Sequence, residues 1–390
     1  MFSFFTLLKA DLKESNPPLK ILIVEPFMVE SHKAWAEGIK DHSQYDIRIE
    51  GLNGNHWKWR MHGSAITLAK RVIEAAWRPD IFLCSDMLNV ALFKSLLGEF
   101  GHGKKFVTYF HENQLTYPWS DRDTDKKVGG DLHYAFINYS SALVSDTVLF
   151  NSNFHKESFI GALPQFLKIY PDHKNLFSVS EIEEKSSVLS LGMDLKRIEK
   201  YRAEIRNEEK FNRALIIWNH RWEYDKNPED FFSALRELKQ RGVQFKLAVL
   251  GREYSSSPGV FEEAKVHFSE EIVHFGYAET DEEYCKWLLR ADIAPVTSVQ
   301  DFFGGSVVET IYADCFPLLP DRLAYPEHLP EAYRSTFFYK DQKDLVNRLQ
   351  RLIFDVSVIR KQVTSPFVAY YDWTKQINDY DQKFLDINES

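Results

Sequence analysis

The amino-acid sequence predicts an α/β protein built from two doubly wound, parallel-sheet domains. Three observations predict it. Short β-branched runs alternate with stretches of helical spacing from Lys20 onward, the alternation restarts near residue 213, and 390 residues suffice for two cores of common size. Strand alternating with helix implies a parallel sheet covered on both faces.

The elements follow in order. An apolar start, Phe2 to Leu8, is too short to span a bilayer, so residues 1–19 are expected to be an extension ahead of the first strand. "KILIVE" (20–25) is a strand, "SHKAWAEGIKDH" has helical spacing, and "YDIRIEGL" (45–52) alternates. "WRMHGSAITLAKRVIEAAW" is a long amphipathic helix, and "DIFLCS" (80–85), "KKFVTYF" (104–110) and "DTVLFNS" (146–152) are further strands. After a join near 190–212 the second series opens on "RALIIWN". "NPEDFFSALRELKQRG" is a helix with Asn227 as cap, Pro228 in its first turn and Gly242 past its end. The strands "FKLAVLG" (245–251), "IVHFGY" (272–277) and "ADIAPVTS" (291–298) complete the series, with the helix "EEYCKWLLR" between the last two.

Composition narrows the function. Hydrophobic content of 44% and charged content of 27% are those of an ordinary globular protein, and a net charge of −9 argues against binding nucleic acid by bulk attraction. Residues 1–190 carry 21 Lys+Arg against 23 Asp+Glu, and the rest carry 27 against 34, so a polyanion would meet the first half more easily. Aromatic residues reach 15%, enough for a ring-built core or for stacking surfaces. Cys84, Cys285 and Cys315 lie far apart without metal-ligand spacing, which fits a reduced, cytoplasmic setting.

Two clusters in the second half carry chemistry. "SVQDFFGGSVVETIYADCFPLLP" (298–320) follows a strand, where open α/β sheets bind ligands. Gly304 and Gly305 permit close backbone approach, Ser306 would open a helix whose first N–H groups favour phosphate, and Glu309 can reach neutral hydroxyls such as those of a ribose. Asp301 sits at the mouth of the same loop. The competing explanation is a capping box, Ser306 capping and Glu309 at the third helical position. "NHRWEYDKNPED" (219–230) also follows a strand and brings Arg221 and Lys226, two cations able to neutralise a diphosphate or simply to pair with Glu223, Asp225 and Glu229. Two such clusters, each at a strand's end, point to a nucleotide-sugar site.

These residues resemble a known family. Asp301 and Glu309 match the paired acids of the E-x7-E motif of family 4 retaining glycosyltransferases, with Asp in first place, and Arg221 and Lys226 match their phosphate-binding pair. The chain is most similar to the branch of tRNA-queuosine α-mannosyltransferases, through "KWRMHGSA" (58–65), "YFHENQLTYP" (109–118), "LFNSNFHKESF" (149–159), "PDHK" (171–174), "NHRWEYDKNP" (219–228) and "DFFGGSVVE" (301–309).

That resemblance implies a GT-B fold. An acceptor domain would span residues 20–200 and a nucleotide-sugar domain 201–370, with the last helix, 371–390, crossing back to the first domain. It implies GDP-mannose as donor, queuosine in the anticodon of an aspartate tRNA as acceptor, a retained α configuration, and neither a metal nor a membrane. His111, Glu112 and Asp301 would be catalytic, His111 lying near the transferred sugar. Arg221, Lys226, Gly251, Phe303, Gly304, Gly305, Ser306 and Glu309 would hold the donor. His32, Lys33, Trp57, Lys58, Arg60, Asn113 and Gln114 would meet the acceptor. "HWKWRMH" (56–62) suits phosphate contact and base stacking, or equally a helix start with buried tryptophans. Lys104, Lys105, Lys126, Lys127, His155, Lys156, His173 and Lys174 are further cations open to RNA. In one loop the chain departs from the branch: Met28, Val29 and Glu30 stand where a Gly-Gly pair usually precedes "SHK". Other readings of the same residues are a family 4 enzyme with a lipid or polysaccharide acceptor, and a binding protein without turnover.

Overall fold

The computed structural model describes residues 18–118, 132–208, 210–252 and 257–390. Lys126, Lys127 and the extension as far as Pro17 lie outside the described residues.

The β-branched and apolar runs form two six-stranded sheets, parallel throughout. The first holds β1 (Lys20–Met28), β2 (Asp46–Asn53), β3 (Ile81–Ser85), β4 (Lys105–Phe110), β5 (Thr147–Phe150) and β6 (Ser186–Val188), in the order β2-β1-β3-β4-β5-β6. The second holds β7 (Leu215–Trp218), β8 (Lys246–Leu250), β9 (Ile272–Gly276), β10 (Ile293–Pro295), β11 (Phe316–Pro320) and β12 (Phe338–Tyr339), in the order β12-β11-β10-β7-β8-β9. Strand order reverses between β1 and β3 and again between β7 and β10. The carboxyl ends of those strands are where a doubly wound sheet opens a crevice for ligands.

Sequence periodicity missed β6, β11 and β12. The first and last have three and two residues, and β11 contains Pro317 and Pro320, which read as breakers. Pro317 is tolerated because β12 pairs with only Leu319 and Pro320, leaving nothing on that side to receive the missing N–H.

The aromatic wealth is mostly core. In the second domain Trp218, Trp222, Phe231, Phe232, Phe261 and Phe268 pack in one buried cluster, Trp222 stacked on Phe261 at 4.3 Å. Each such ring contributes about 1.5–3 kcal/mol on burial.

The chain passes between domains twice, side by side. Met193 donates its N–H to Tyr371 O (2.8 Å) and accepts from Trp373 N (2.9 Å). The helix Lys196–Arg206 buries Ile198 and Ile205 against Leu288 and Leu289, so the expected junction at 200/201 falls inside a helix of the second unit. The last helix, Trp373–Glu389, returns to the first. Its Trp373, Ile377, Tyr380, Phe384 and Ile387 share a core with Ile21, Ile23, Trp35 and Ile39, and Trp35 Nε1 donates to Tyr380 Oη at 3.0 Å. Trp373 is wedged between two glycines: a Cβ at Gly38 or Gly192 would lie 2.1 or 2.2 Å from its ring.

Candidate active site

The wall contributed by the first sheet is built on imidazoles. Strand β4 delivers His111 at its carboxyl end, and the backbone there is pinned on both sides: His111 N donates to Asp86 Oδ1 (2.8 Å) and Asn151 Nδ2 donates to His111 O (2.9 Å). The His111 ring stacks on His32 with centroids 4.1 Å apart and meets the edge of Trp35 at 4.6 Å. His32 is buried, and its Nδ1 is 3.0 Å from Glu25 Oε2, while Glu25 Oε1 accepts from Phe27 N at 2.8 Å.

Burial alone would lower the His32 pKa, but the carboxylates of Glu25, Asp86 and Glu112 together outweigh it and raise it to about 9. His111 moves the other way, well below the ordinary value, because it is buried and faces cationic His32. Its Nε2 is buried without a partner among the described residues. Next along, burial raises the pKa of Glu112, whose Oε1 accepts from Gln114 Nε2 at 3.0 Å.

The opposite wall carries the cations. Asn227 caps the helix Pro228–Gln240 in the left-handed region (φ 50°) as its sequence predicts, and this turns the preceding segment so that Lys226 points inward. Lys226 Nζ donates to Asp301 Oδ1 (2.9 Å) and Gln300 O (3.0 Å), with Asp225 Oδ2 at 3.1 Å. Asp301 Oδ2 accepts from Tyr325 Oη at 2.5 Å, and its carboxyl is held below the usual range despite burial, chiefly by Lys226. Arg221 reaches outward, 58% of its side chain exposed, touching Glu223 at 3.2 Å.

The helix after the Gly-Gly pair runs Gly305–Tyr312, with Gly304 as its cap at φ 86°, a conformation that favours glycine; a Cβ there would also lie 2.9 Å from Tyr325. Ser306 is therefore not the cap. Its Oγ lies 2.9 Å from His220 Nδ1, and Glu309 is taken by Arg197 and by Tyr284 Oη (2.7 Å), so the capping box does not form.

The two walls touch. Tyr117 Oη donates to Asp225 Oδ2 (3.2 Å), Tyr224 Oη to Pro118 O (2.8 Å), and the His155 ring stacks on Phe302 at 3.9 Å. A histidine wall thus faces a lysine–aspartate wall across the junction of two Rossmann-like sheets.

Residues 20–193 match the family described as tRNA-queuosine alpha-mannosyltransferase N-terminal, and residues 199–361 match glycosyl transferases group 1. The tRNA-queuosine alpha-mannosyltransferase of Drosophila melanogaster is 34% identical over 376 residues, covering 94% of this chain and 96% of that one. The chain belongs to the tRNA-queuosine α-mannosyltransferase family. A more distant relative is GDP-mannose:cellobiosyl-diphosphopolyprenol alpha-mannosyltransferase of Xanthomonas campestris, 21% identical over 42% of this chain and 45% of that one. Among solved structures, sucrose-phosphate synthase of Thermosynechococcus elongatus (TM-score 0.67, 11% identity, 95% and 99% of the two chains covered) shares the fold. So does a UDP-forming α,α-trehalose-phosphate synthase of Burkholderia xenovorans (0.65, 12%, 95% and 99%). The architecture is GT-B, and the chain is a glycosyltransferase.

Within this family fold, the residues singled out by sequence divide into three groups. His32, His111, Glu112 and Gln114 gather on one wall, and Lys226, Asp301, Gly304 and Ser306 on the other, with Arg221 at its edge. Glu309 is adjacent, its oxygens bound to protein groups.

A second group proves structural. Phe303 is a core residue whose carbonyl accepts from His328 Nε2 (2.6 Å); its neighbour Phe302 is the one that meets the first domain. Gly251 (φ 139°) is explained by packing, because a Cβ would sit 2.5 Å from Trp222. Gly305 has ordinary room beside Met193. Asn113 is buried, and its Oδ1 accepts from Leu115 N, Thr116 N and Thr116 Oγ1, which makes it a turn former rather than an acceptor contact. His155 is likewise buried with its pKa well below normal because of burial, so it offers RNA no charge.

A third group is exposed or half-buried. Lys33 is exposed beside Glu37 at 3.7 Å. Trp57 and Lys58 open the helix Trp57–Ala75, Trp57 packing on Tyr134 at 5.0 Å. Trp57 is half-buried and Trp59 is 64% exposed, so burial explains only the first tryptophan of "HWKWRMH". Arg60 donates to Asn53 O (3.2 Å) and, with Arg71, lines a surface hollow of about 260 Å³. Lys104 pairs with Asp80, and Lys174 Nζ donates to Lys168 O.

Where the Gly-Gly pair is missing, Met28 and Val29 are accommodated by glycines elsewhere: a Cβ at Gly51 would lie 2.8 Å from Met28, and one at Gly54 would lie 2.6 Å from Val29. Arg197, Tyr284, Glu25, Asp86 and Tyr325 were missed. They sit in helices, strands and turns and gain meaning only from partners on other elements. Glu25, His32 and His111 bring one carboxylate and two imidazoles within 4.8 Å of one another, a set able to ligate a metal. Glu25 Oε2 lies 3.0 Å from His32 Nδ1.

Proposed function

We propose that the protein transfers mannose from GDP-mannose to the cyclopentenediol of queuosine in tRNA-Asp with retention of the α configuration, in the cytoplasm. The observation that carries this is the Lys226–Asp301 pair beside Arg221 at the carboxyl ends of β7 and β10, opposite His111, in a chain of this family. Lys226 and Arg221 would neutralise the diphosphate, with no metal needed for that task. The acceptor hydroxyl would form its bond to the anomeric carbon on the face from which the diphosphate leaves with the bonding electrons, and the departing phosphate would take the hydroxyl proton. His111 and Glu112 would then act by orientation and electrostatics. Asp301 would contribute by holding Lys226.

Incubation with GDP-mannose and queuosine-containing tRNA-Asp, followed by nucleoside mass spectrometry, should show one added hexose. Transfer from UDP-glucose instead, or to another acceptor, would move the assignment elsewhere in family 4. Met28 and Val29 in place of the usual glycines bear on substrate choice or rate, and are the feature that favours a binding protein without turnover. Among the described residues no helix is long and apolar enough to cross a membrane.

A further inference from the structure

We propose that the exposed indole of Trp59, flanked by Lys58 and Arg60 in the first turn of the helix Trp57–Ala75, is a platform on which an unpaired base of the acceptor RNA stacks. The proposal rests on the reading that tRNA is the acceptor.

The fold sets this turn close to the candidate active site and points the ring away from the core. β2 ends at Asn53 and the helix starts at Trp57, so the first turn lies at the carboxyl edge of the first sheet, the edge where β4 delivers His111. Met61, Ala65 and Leu68 face inward. Half-buried Trp57 packs, as Phe27 does, on a cluster of Met61, Met87, Tyr134 and Ile137. Phe27 in turn stands 6.3 Å from the His32 ring, which stacks on His111. Trp59 comes two residues later, about 200° further around the helix, and so faces outward.

Gly63 seats the ring. It lies one turn on, and a Cβ there would be 2.6 Å from Trp59 Cζ2, 2.8 Å from Cε2 and 3.0 Å from Cη2. Only proline forms helix less readily than glycine, so a glycine inside a 19-residue helix weakens it; in return the indole lies against the helix. A ring backed by protein and open to water suits a nucleobase, because every base has a face that can stack. The surrounding charge suits its phosphates. This helix carries Lys58, Arg60, Lys70 and Arg71 against one acid, Glu74, in a chain of net charge −9. Lys70 meets Glu74 at 3.7 Å and Arg71 meets Glu50 at 3.2 Å. Arg60 pairs with no carboxylate among the described residues; its Nε donates to Asn53 O, and it lines the 260 Å³ hollow with Arg71. Ile66 and Ile73 continue the exposed face about two and four turns further on. An apolar protein surface would suit those two alone, whereas the cations beside Trp59 call for an anionic partner with rings.

The test titrates the full chain with a fluorescent anticodon stem-loop of tRNA-Asp and follows anisotropy. Trp59→Ala should bind about 5- to 150-fold more weakly, the worth of one base stack, and Trp59→Phe should keep most of the affinity. The dependence of affinity on salt should be unchanged in Trp59→Ala and shallower by about 0.7 in logarithmic slope in Arg60→Gln, which separates stacking from phosphate contact. Gly63→Ala, which favours the helix but displaces the ring, should weaken RNA binding without lowering the melting midpoint. In transfer assays Trp59→Ala should raise KM for tRNA and leave KM for the nucleotide sugar unchanged. Hydroxyl-radical footprinting of the wild-type protein needs no variant: bound RNA should shield Trp59 from oxidation. An unshielded Trp59 with RNA bound, or wild-type RNA affinity in folded Trp59→Ala, overturns the proposal. If self-association or binding to phosphatidylserine vesicles depends on Trp59 while RNA affinity does not, the face belongs to a second copy or to a lipid surface, and the proposal falls. The binding measurements use no sugar donor. RNA held through Trp59 without mannose transfer would therefore defeat the proposed function alone, and transfer with a wild-type KM for tRNA in Trp59→Ala would defeat this proposal alone.

Discussion

Replacing Lys226 by methionine removes one buried cation and strands two carboxylates. The lysine side chain is 8% exposed, and its Nζ serves Asp301 Oδ1 at 2.9 Å, Asp225 Oδ2 at 3.1 Å and Gln300 O at 3.0 Å. Breaking a buried pair from one side costs about 3–5 kcal/mol. Asp301 keeps the Tyr325 hydroxyl at 2.5 Å and Asp225 keeps the Tyr117 hydroxyl at 3.2 Å, so the lower end, about 3 kcal/mol, is expected. Adding Asp301→Asn to Lys226→Met neutralises one stranded carboxylate and should recover about 1–2 kcal/mol of it. Urea denaturation of the three proteins measures this. GDP titrated calorimetrically should bind Lys226→Met about 10- to 100-fold more weakly, the worth of one charge-assisted hydrogen bond. A wild-type urea midpoint would show that the acids do not depend on this lysine. Wild-type GDP affinity would show that the lysine does not reach the diphosphate.

Three further expectations follow from the same geometry. Arg221→Ala should bind GDP about tenfold more weakly or worse while His111→Ala binds it normally; equal losses would refute the division of roles between the walls. Gly38→Ala drives a Cβ to within 2.1 Å of Trp373 Nε1, so the wedge joining the last helix to the first domain must shift, at a cost of about 1–3 kcal/mol by urea midpoint; no change would mean the ring moves aside freely. The His220 pKa is lowered to about 4 by burial. Because the folded value lies below the unfolded one near 6.5, this imidazole weakens folding as pH falls from about 6.5 toward 4 and has no effect above. His220→Asn should remove up to about 1.4 kcal/mol per pH unit of that slope, and parallel slopes for the two proteins would contradict it.

Local patterns in the sequence were enough for two parallel sheets without β6, β11 and β12, for the Asn227 cap and for the place of Arg221, Lys226 and Asp301 at strand ends. Such features depend on side-chain spacing within a few residues, which a linear string records directly. The same local view erred where distant partners decide. Ser306 and Glu309 have the spacing of a capping box, yet Gly304 starts the helix earlier and Arg197, 112 residues away, takes the glutamate. Phe303, Asn113 and His155 stand in the right motifs but point into the protein. Glu25 is one acid in an apolar strand until folding brings it beside His32 and, through that ring, against His111. Periodicity says which face of an element is buried; which side chain lies opposite it, as Glu25 does His32 and His32 does His111, is decided only when the strands and helices pack together.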